Sequence, residues 1–460
     1  MHKLMNRIRH RSRALALAVA AASSGMLSGC DNFMEVSNPG AVEPPALEGE
    51  SYIPLMVGGV VGDFQPSFAW TALWSGGFTD ELRNSTGIVD NGEIDLRAVS
   101  ETNGTYTLSV YNGLHRTRFL ADSVAGRLQV MLGDSAGRNV DRARVLAYGG
   151  YTWTLLGEQF CETPINRSAP VPSDQLLRTA LQRFDDAIQV AVAARASAES
   201  LPAGATRTRR IASADSIANF ARVGAARAAL SLAAYDPSVR QRALQYAQAV
   251  TPAYSSEAAK GFEFRAQYSR EGERYTRRSS NPFFEFVPDT RWFSISGTPF
   301  DSLNDVRVPH SDTLTVMADG TRRHIPRSPT AFSTYNGTRN GAPFDATSSI
   351  RVASALEARY IIAELEGLNA ANLAFINGRR AVGGQAALPA STSAAAYQEA
   401  LREQRSRDFF LDSHRMGDLR RYKKQGINDP NHQFPSGSYY GSTTVQFGTQ
   451  ECWPIPLLDR

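Results

Sequence analysis

The sequence has few cysteines and, once its first 30 residues are set aside, no excess of charge of either sign. Three Cys in 460 residues exclude a scaffold held together by many disulfides. Residues 1–30 hold five of the 49 Lys and Arg and none of the 45 Asp and Glu, so the rest of the chain has a net charge of about −1. This near-neutral remainder gives no reason to expect a nucleic acid as partner.

The sequence also lacks metal-binding spacings and, after residue 30, any apolar run of membrane length. None of the five later His, His115, His310, His324, His414 and His432, belongs to an H-E-x-x-H motif or another metal-ligand spacing. Adjacent acids such as Asp80 and Glu81 point to different sides of a helix and are typical of a solvated face. We therefore expect no cofactor, metal or catalytic residues, although sequence alone does not exclude two facing carboxylates.

The first 30 residues have the features of an export signal. Five basic residues precede the apolar run 14–22, which is too short for a permanent membrane helix. The leader ends in Leu27-Ser28-Gly29-Cys30. This tetrapeptide resembles the bacterial lipobox, whose Cys is diacylated and begins the mature chain. The sequence thus predicts a signal peptide over 1–29, lipidation of Cys30 and a tether over 30–50. The alternative is an ordinary secretory leader with a chance Cys.

Apolar residues at helical spacing dominate the body of the chain. From 51 to 132 they predict two or three helices, with breaks at Gly76-Gly77 and over 84–92. Further helices are predicted at 141–160, 176–194, 216–234, 239–250, 350–368 and 394–416. We expect a mainly α fold whose helical scaffold occupies 141–250 and 350–421.

The segment 216–250 is the best-formed helical hairpin. Pro237 suits the first turn of its second helix, and its first helix has a small-residue face that permits close approach of a partner. That face consists of Ala221, Gly224, Ala225 and Ala228. The hairpin resembles a tetratricopeptide repeat, as does the pair of helices before it. Two hairpins are fewer than the three that usually stabilise a solenoid, so other helices must complete the core.

Two segments lack helical spacing. The region 254–345 is rich in aromatic residues, Pro, Arg and Ser, and a stretch of this length is typical of a functional insertion on a scaffold. The C-terminal segment 426–460 is also predicted to be mostly loop. Between them, acids and bases alternate over 402–421, where Asp408, Asp412 and Arg415 have spacings that allow pairing along one helix. We interpret that run as structural ion pairs rather than a basic patch, and His414 as a structural residue.

Four motifs together resemble the SusD/RagB family of outer-membrane lipoproteins. The family's opening is matched by Met34–Gly40 after the lipobox, and its late helix–turn segment by Arg407–Arg421. Its closing tetrapeptide is matched by Trp453-Pro454-Ile455-Pro456, and the helix before the late segment by 351–366. The late segment departs from the family pattern, with Asp408 and Asp412 in place of Glu and Ser413 in place of Gly.

The resemblance implies a function without covalent chemistry. A SusD-like lipoprotein is a lid on a SusC-like TonB-dependent barrel, captures an oligosaccharide or, in RagB-type members, a peptide, and passes it to the transporter. Residues 51–460 are then expected to form a single SusD-like domain at the outer-membrane surface, with no enzymatic activity. The alternative is a helical-repeat scaffold, at the surface or in the periplasm, that binds another protein.

Candidate ligand residues follow from chemistry and context. Sugar binding relies on flat aromatic faces and on polar side chains that satisfy hydroxyl groups. The candidates are Trp74, Arg83, Asn84, Trp292 and Tyr335. Core packing competes with ligand binding for Trp74 and Trp292, and we assign Trp70 to the core.

Cys161 and Cys452 are the cysteines that remain once Cys30 is lipidated, and in an oxidising compartment they can pair only with each other. Cys161 follows a predicted helix, and Cys452 precedes the Trp-Pro-Ile-Pro segment. We predict a disulfide between them. The alternative is two buried free thiols.

Overall fold

The computed structural model describes residues 49–269, 280–329 and 342–460, and helices form most of this part of the chain. The predicted mainly α fold is confirmed. Several helices begin at a residue whose side chain accepts a hydrogen bond from the first turn, among them Asn139, Ser354 and Asn369. The principal helices are α1 Ile53–Phe78, α2 Val89–Asp95, α3 Asn112–Leu132, α4 Val140–Gln159, α5 Ser173–Glu199, α6 Ala205–Leu232, α7 Arg240–Gln248, α8 Ala355–Glu366, α9 Ala370–Val382, α10 Ala394–Asp408 and α11 Arg415–Lys424.

The two predicted hairpins, α4–α5 and α6–α7, form the centre of the scaffold, where α5 packs against both α4 and α6. Close packing depends on missing side chains. A Cβ on Gly224 would lie 2.3 Å from the ring of Phe184 and 2.8 Å from that of Tyr151. The predicted small-residue face of α6 is therefore the surface on which the aromatic core rests.

Several element boundaries differ from the predictions. Helix α6 begins at Ala205 rather than near 216. The apolar pattern did not indicate its first turns because they are mostly exposed, and the first buried residue is Ala214. Helix α2 begins inside the predicted break over 84–92, and α9 was not predicted. The predicted helix over 350–368 begins as a strand, because Ile350–Ser354 pairs with Glu263–Ala266.

The predicted helix over 394–416 is two helices, α10 and α11. The turn between them places Leu411 and Ser413 at positive φ, 59° and 71°. Ser413 thus adopts at a non-glycine position the left-handed conformation that glycine adopts most easily.

Short antiparallel ribbons connect the non-helical segments to the helices. The strands are β1 Arg83–Asn84, β2 Glu162–Pro164, β3 Pro170–Pro172, β4 Glu263–Ala266, β5 Phe293–Ser294, β6 Thr315–Val316, β7 Arg322–Arg323 and β8 Ile350–Ser354. The ribbons are β1–β5, β2–β3, β4–β8 and β6–β7. Through β1–β5, the region 254–345 is joined to the segment that follows α1.

The predicted disulfide is confirmed. Cys161 and Cys452 are bonded with their Cα atoms 5.6 Å apart and a sequence separation of 291. Next to the bond, the Trp453 backbone N–H donates to the Gln159 carbonyl at 3.0 Å, and the Trp453 ring stacks on Tyr106. The C-terminal segment is therefore fixed to the end of α4. In the described ranges, no helix has the length and apolar character needed to cross a membrane.

Charged residues of α10 and α11 form a buried ion-pair core with charged residues of other elements. It consists of Asp80, Arg307, Arg351, Arg379, Arg405, Asp408, Asp412, Arg415, Asp418 and Arg421. The structural role predicted for 402–421 is confirmed, and Asp418 and Arg421 pair along one helix. For Asp408, Asp412 and Arg415 the expected pairing along one helix is wrong. Asp408 pairs with Arg307 and Arg379, and Arg415 pairs with Asp80, because the turn after α10 directs these side chains toward other elements.

Candidate functional site

Three of the predicted site residues meet at the β1–β5 ribbon. Arg83 lies opposite Ser294 and Asn84 opposite Phe293, and the Ser85 N–H donates to the Trp292 carbonyl at 2.7 Å. Trp292 directly precedes β5, and its bond to Ser85 continues the backbone pairing, so Arg83 and Trp292 are near neighbours at this ribbon. Tertiary pairing thus joins candidates that are distant in sequence.

Asp95, at the end of α2, connects the ribbon to the C-terminal segment. One oxygen of its carboxylate accepts from the Asn84 N–H at 2.9 Å and from the Tyr439 hydroxyl at 2.5 Å. Its other oxygen is buried without a hydrogen-bond partner. Burial raises the pKa of Asp95 to about 7, although Tyr439, Asn84 and the nearby Arg83 favour the charged form.

Arg323 on β7 also binds the backbone of this ribbon. Its guanidinium donates to the Asn84 carbonyl at 3.1 Å and to the Ser85 hydroxyl at 3.0 Å, and it pairs with Asp319 at 3.0 Å. Burial, and then the nearby charge of Arg83, lower the pKa of Arg323. Arg323 is therefore a positioning residue for β1.

The Arg83 guanidinium packs on two tyrosines. Its central carbon lies 4.5 Å from the ring centroid of Tyr440 and 5.5 Å from that of Tyr439. Its Nη1 donates a long hydrogen bond of 3.4 Å to the Ser296 carbonyl, and its Nε is buried without a partner. Gly297, at φ +87°, leaves room here, because a Cβ would lie 3.2 Å from Arg83 Nη1.

Tyr440 adopts a strained backbone conformation that supports this packing. Its φ and ψ are 42° and 44°, in the left-handed region that an aromatic residue seldom adopts. Its hydroxyl is buried without a hydrogen-bond partner. Strain and an unsatisfied polar atom next to an arginine are typical of a functional site.

An aromatic cluster adjoins the ribbon and corrects the prediction for Trp74. Trp74 is 1% exposed and packs against Phe293, with ring centroids 5.3 Å apart. Trp70, which we had assigned to the core, is half-buried, as is Trp292. Both Trp70 and Trp292 contact Phe286, at 5.2 and 4.6 Å between centroids. The tryptophan faces available to a ligand are therefore those of Trp70 and Trp292.

The other two predicted residues contribute little to this arrangement. The Asn84 side chain is mostly buried and bonds to Thr86 within its own turn, so it shapes the loop. Tyr335 lies outside the described residues. Sequence reasoning missed Asp95, Arg323, Tyr439 and Tyr440. Only the adjacent tyrosines, between Gly437 and Gly441, carried a signal that could have been read, an aromatic pair in a polar loop.

A second concavity lies beside the ion-pair core. It has a volume of about 180 Å³ and includes Phe344, Ile350 and Phe410 among its lining residues. The charged residues in its wall include Arg351 and Asp412, which pair with each other at 3.0 Å. None of the predicted site residues lines it. We give more weight to the β1–β5 ribbon, where polar atoms remain unpartnered.

Signals of catalysis are weak in the described ranges. Gly133-Asp134-Ser135-Ala136-Gly137 has the spacing of a hydrolase nucleophile elbow, but it forms a 3-10 turn after α3, whereas the elbow requires a strand before the serine. The Ser135 hydroxyl donates to the Leu132 carbonyl at 2.7 Å. Across 49–269, 280–329 and 342–460, no group of three His, Cys, Asp or Glu could hold a metal ion.

Comparison with known proteins gives matches in structure and none in sequence. No family model and no curated protein matches the chain. A SusD superfamily protein from Parabacteroides distasonis superposes with a TM-score of 0.60 at 13% identity, covering 89% of this chain and 96% of that one.

Two further solved structures agree. A SusD/RagB family protein from Bacteroides thetaiotaomicron superposes with a TM-score of 0.57 at 14% identity, covering 83% of this chain and 92% of that one. A laminarin-binding SusD-like protein superposes with a TM-score of 0.56 at 14% identity, covering 89% of this chain and 97% of that one. The family resemblance of the sequence motifs is thus confirmed at the level of the fold: the chain has the fold of SusD/RagB proteins.

Proposed function

We propose that this chain is a SusD/RagB-family lipoprotein of the outer-membrane surface that binds a glycan and does not cleave it. The observation that most supports the proposal is the β1–β5 ribbon, which brings Arg83 near Trp292, and Trp292 and the half-buried Trp70 both contact Phe286. Flat aromatic faces next to guanidinium donors are the chemistry that a pyranose requires. One structure with this fold is a laminarin-binding protein.

The experiment is calorimetric titration of the purified full chain, in detergent, with a panel of neutral and acidic oligosaccharides and of peptides. Trp292→Ala should weaken glycan binding, and Trp74→Ala should act through stability instead, because the Trp74 ring is buried. Mass spectrometry of the incubated ligand should find no new products. Turnover that survives repurification and is abolished by a single Asp or Glu change would overturn the proposal.

The proposal includes an anchor and a transporter. Cys30 would carry the lipid, and two acyl chains on one residue are enough for stable membrane attachment. The protein would then close as a lid on a SusC-like TonB-dependent barrel. Cys30→Ala should release the chain into the soluble fraction of cells that lack the barrel, and co-purification with a barrel encoded next to it tests the partner.

A protein-binding scaffold is the second candidate, and one observation favours it. Phe119 and Val130 are 58% and 83% exposed on the same side of α3, eleven residues apart. A scaffold would bind a protein partner through such a face and bind no glycan. Phe119→Glu distinguishes the two functions, because it should disturb a protein contact and leave glycan affinity unchanged.

A further inference from the structure

Arg83 differs from three ion-paired arginines of this chain that pack on aromatic rings, whereas Arg97 and Arg359 also pack on rings without a described carboxylate and donate to backbone carbonyls. Arg351, Arg405 and Arg415 lie 4.9, 4.9 and 5.7 Å from a Phe centroid, and each also has a carboxylate within 3.0 Å. Arg83 lies closer to its ring, at 4.5 Å from Tyr440, and makes no ion pair with a described residue. Its aromatic support is therefore in place while its anionic partner is missing.

The surroundings of Arg83 hold it in position without neutralising it. Tyr439 and Tyr440 lie under the guanidinium, and the absent side chain of Gly297 leaves the room that its Nη1 occupies. A guanidinium carries five N–H donors, and those of Arg83 make a long contact to the Ser296 carbonyl and a hydrogen bond with the Tyr439 side chain, while its Nε has no partner. The donors that remain match the geometry of a carboxylate.

The acids nearby do not supply the missing charge. Asp319 forms its ion pair with Arg323, at 3.0 Å, and interacts with Arg83 only at longer range. Asp95 is engaged by the Asn84 N–H and the Tyr439 hydroxyl, and its raised pKa leaves it only partly charged at neutral pH. The arginine pair therefore retains an excess of positive charge at the ribbon.

We propose that the ligand of this site is an acidic glycan, with the carboxylate of a uronic acid residue bound by Arg83 and its pyranose ring stacked on Trp292. The inference rests on the proposed function and names the ligand class of the same site. Arg83 is paired with Ser294, and Trp292 directly precedes β5 with its carbonyl bonded to the Ser85 N–H, so the backbones of Arg83 and Trp292 are about 7–8 Å apart. One or two sugar units span this distance. An acidic peptide would satisfy Arg83 but has no flat apolar face for the tryptophan.

The experiment is calorimetry on the full chain in detergent with matched ligands. Oligomers of galacturonic acid and of mannuronic and guluronic acid are each compared with their carboxyl-reduced forms, which keep the ring and lose the charge. The variants are Arg83→Gln, Arg83→Lys and Trp292→Ala. Arg178→Gln, which removes one surface charge from α5, is the matched control.

We expect at least one acidic oligomer to bind tenfold or more tightly than its reduced form, with a preference that weakens as salt is added. Arg83→Gln should abolish this preference, Arg83→Lys should keep part of it, and Arg178→Gln should keep all of it. Trp292→Ala should weaken acidic and reduced ligands by the same factor. The unfolding midpoint of each variant verifies that binding is lost from a folded protein.

Other outcomes overturn the inference. Reduced oligomers that bind as tightly as acidic ones would overturn it, as would poly-glutamate peptides that bind through Arg83 while uronates do not. Binding of neutral glycans alone, weakened by Trp292→Ala, would leave the proposed function standing and remove only the acidic ligand. Failure of every glycan to bind would remove both.

Discussion

The ion-pair core and the β1–β5 ribbon are both rich in arginine, and they differ in how the charge is neutralised. Asp408 in the core is buried and receives hydrogen bonds from Arg307, Arg379 and Tyr360. Burial alone would raise the pKa of Asp408, but the two guanidinium groups outweigh it and hold this pKa well below its ordinary value. In the ribbon, burial prevails and raises the pKa of Asp95 to about 7.

This difference separates the structural charge of the core from the charge of the proposed binding site. A buried charge that meets enough donors stabilises one arrangement of helices, and removing one partner leaves the others uncompensated. A site that must bind a ligand keeps donors unpaired and tolerates the cost. The same residue type therefore has different roles, and the number of partners distinguishes them better than sequence position does.

The largest effect is expected from Asp408→Asn, which breaks the core. Three groups lose their acceptor charge in a buried site, so the free energy of unfolding should fall by about 3–5 kcal/mol. Urea unfolding followed by circular dichroism measures it. Arg195→Gln, at an exposed ion pair, is the control and should leave the midpoint within error. An Asp408→Asn protein as stable as the parent would contradict the structural role of Asp408 in the ion-pair core.

Asp95→Asn should change how stability depends on pH. The folded-state pKa of about 7 lies above the unfolded value of about 3.9. Between these values the folded protein binds more protons than the unfolded chain, so the free energy of unfolding falls as pH rises from about 4 to 7. The asparagine should remove this fall, up to about 4 kcal/mol. Urea midpoints measured across that pH range test it, and an unchanged slope would mean that Asp95 titrates normally.

Loss of the Cys161–Cys452 bond should come next. The loop closed is very long, and the chain-entropy model gives roughly 5 kcal/mol as an upper figure, with about 2–4 kcal/mol typical. The double Cys→Ala variant and the reduced parent should unfold at similar, lower denaturant concentrations. Mass mapping of the non-reduced protein should find the two peptides linked. Two free thiols in that map would refute the bond.

The smallest effect concerns Trp292→Ala. Loss of one stacking face should weaken glycan binding about tenfold, or ~1.4 kcal/mol, with little change in stability because the side chain is half-buried. Trp74→Ala should show the opposite pattern, a large loss of stability from a buried cavity. Calorimetry and unfolding measurements on both variants test whether Trp292 binds ligand and Trp74 stabilises the core. Equal effects of the two substitutions on affinity would contradict this difference.

The sequence by itself determined the helical hairpins, their small-residue contact and the disulfide. Each depends on local periodicity or on elimination: Gly224 lies on a repeating face, and Cys161 and Cys452 had no other partners in the predicted compartment. The first helical turns after Ala205 escaped notice because an exposed helix has no apolar stripe. The strand at Ile350 escaped notice because its partner, Glu263–Ala266, lies far away in sequence.

Only the tertiary structure decided the composition of the candidate site and the partners of the charged residues. Arg83 and Trp292 were predicted separately, but Asp95, Arg323 and the two tyrosines reach them through strand pairing and loop packing that no local pattern encodes. Likewise, Trp70 and Trp74 have the same chemistry and lie one helical turn apart. The approach of Phe293 buries one of them and leaves the other half-buried, because burial depends on what packs against a helix and not on the helix itself.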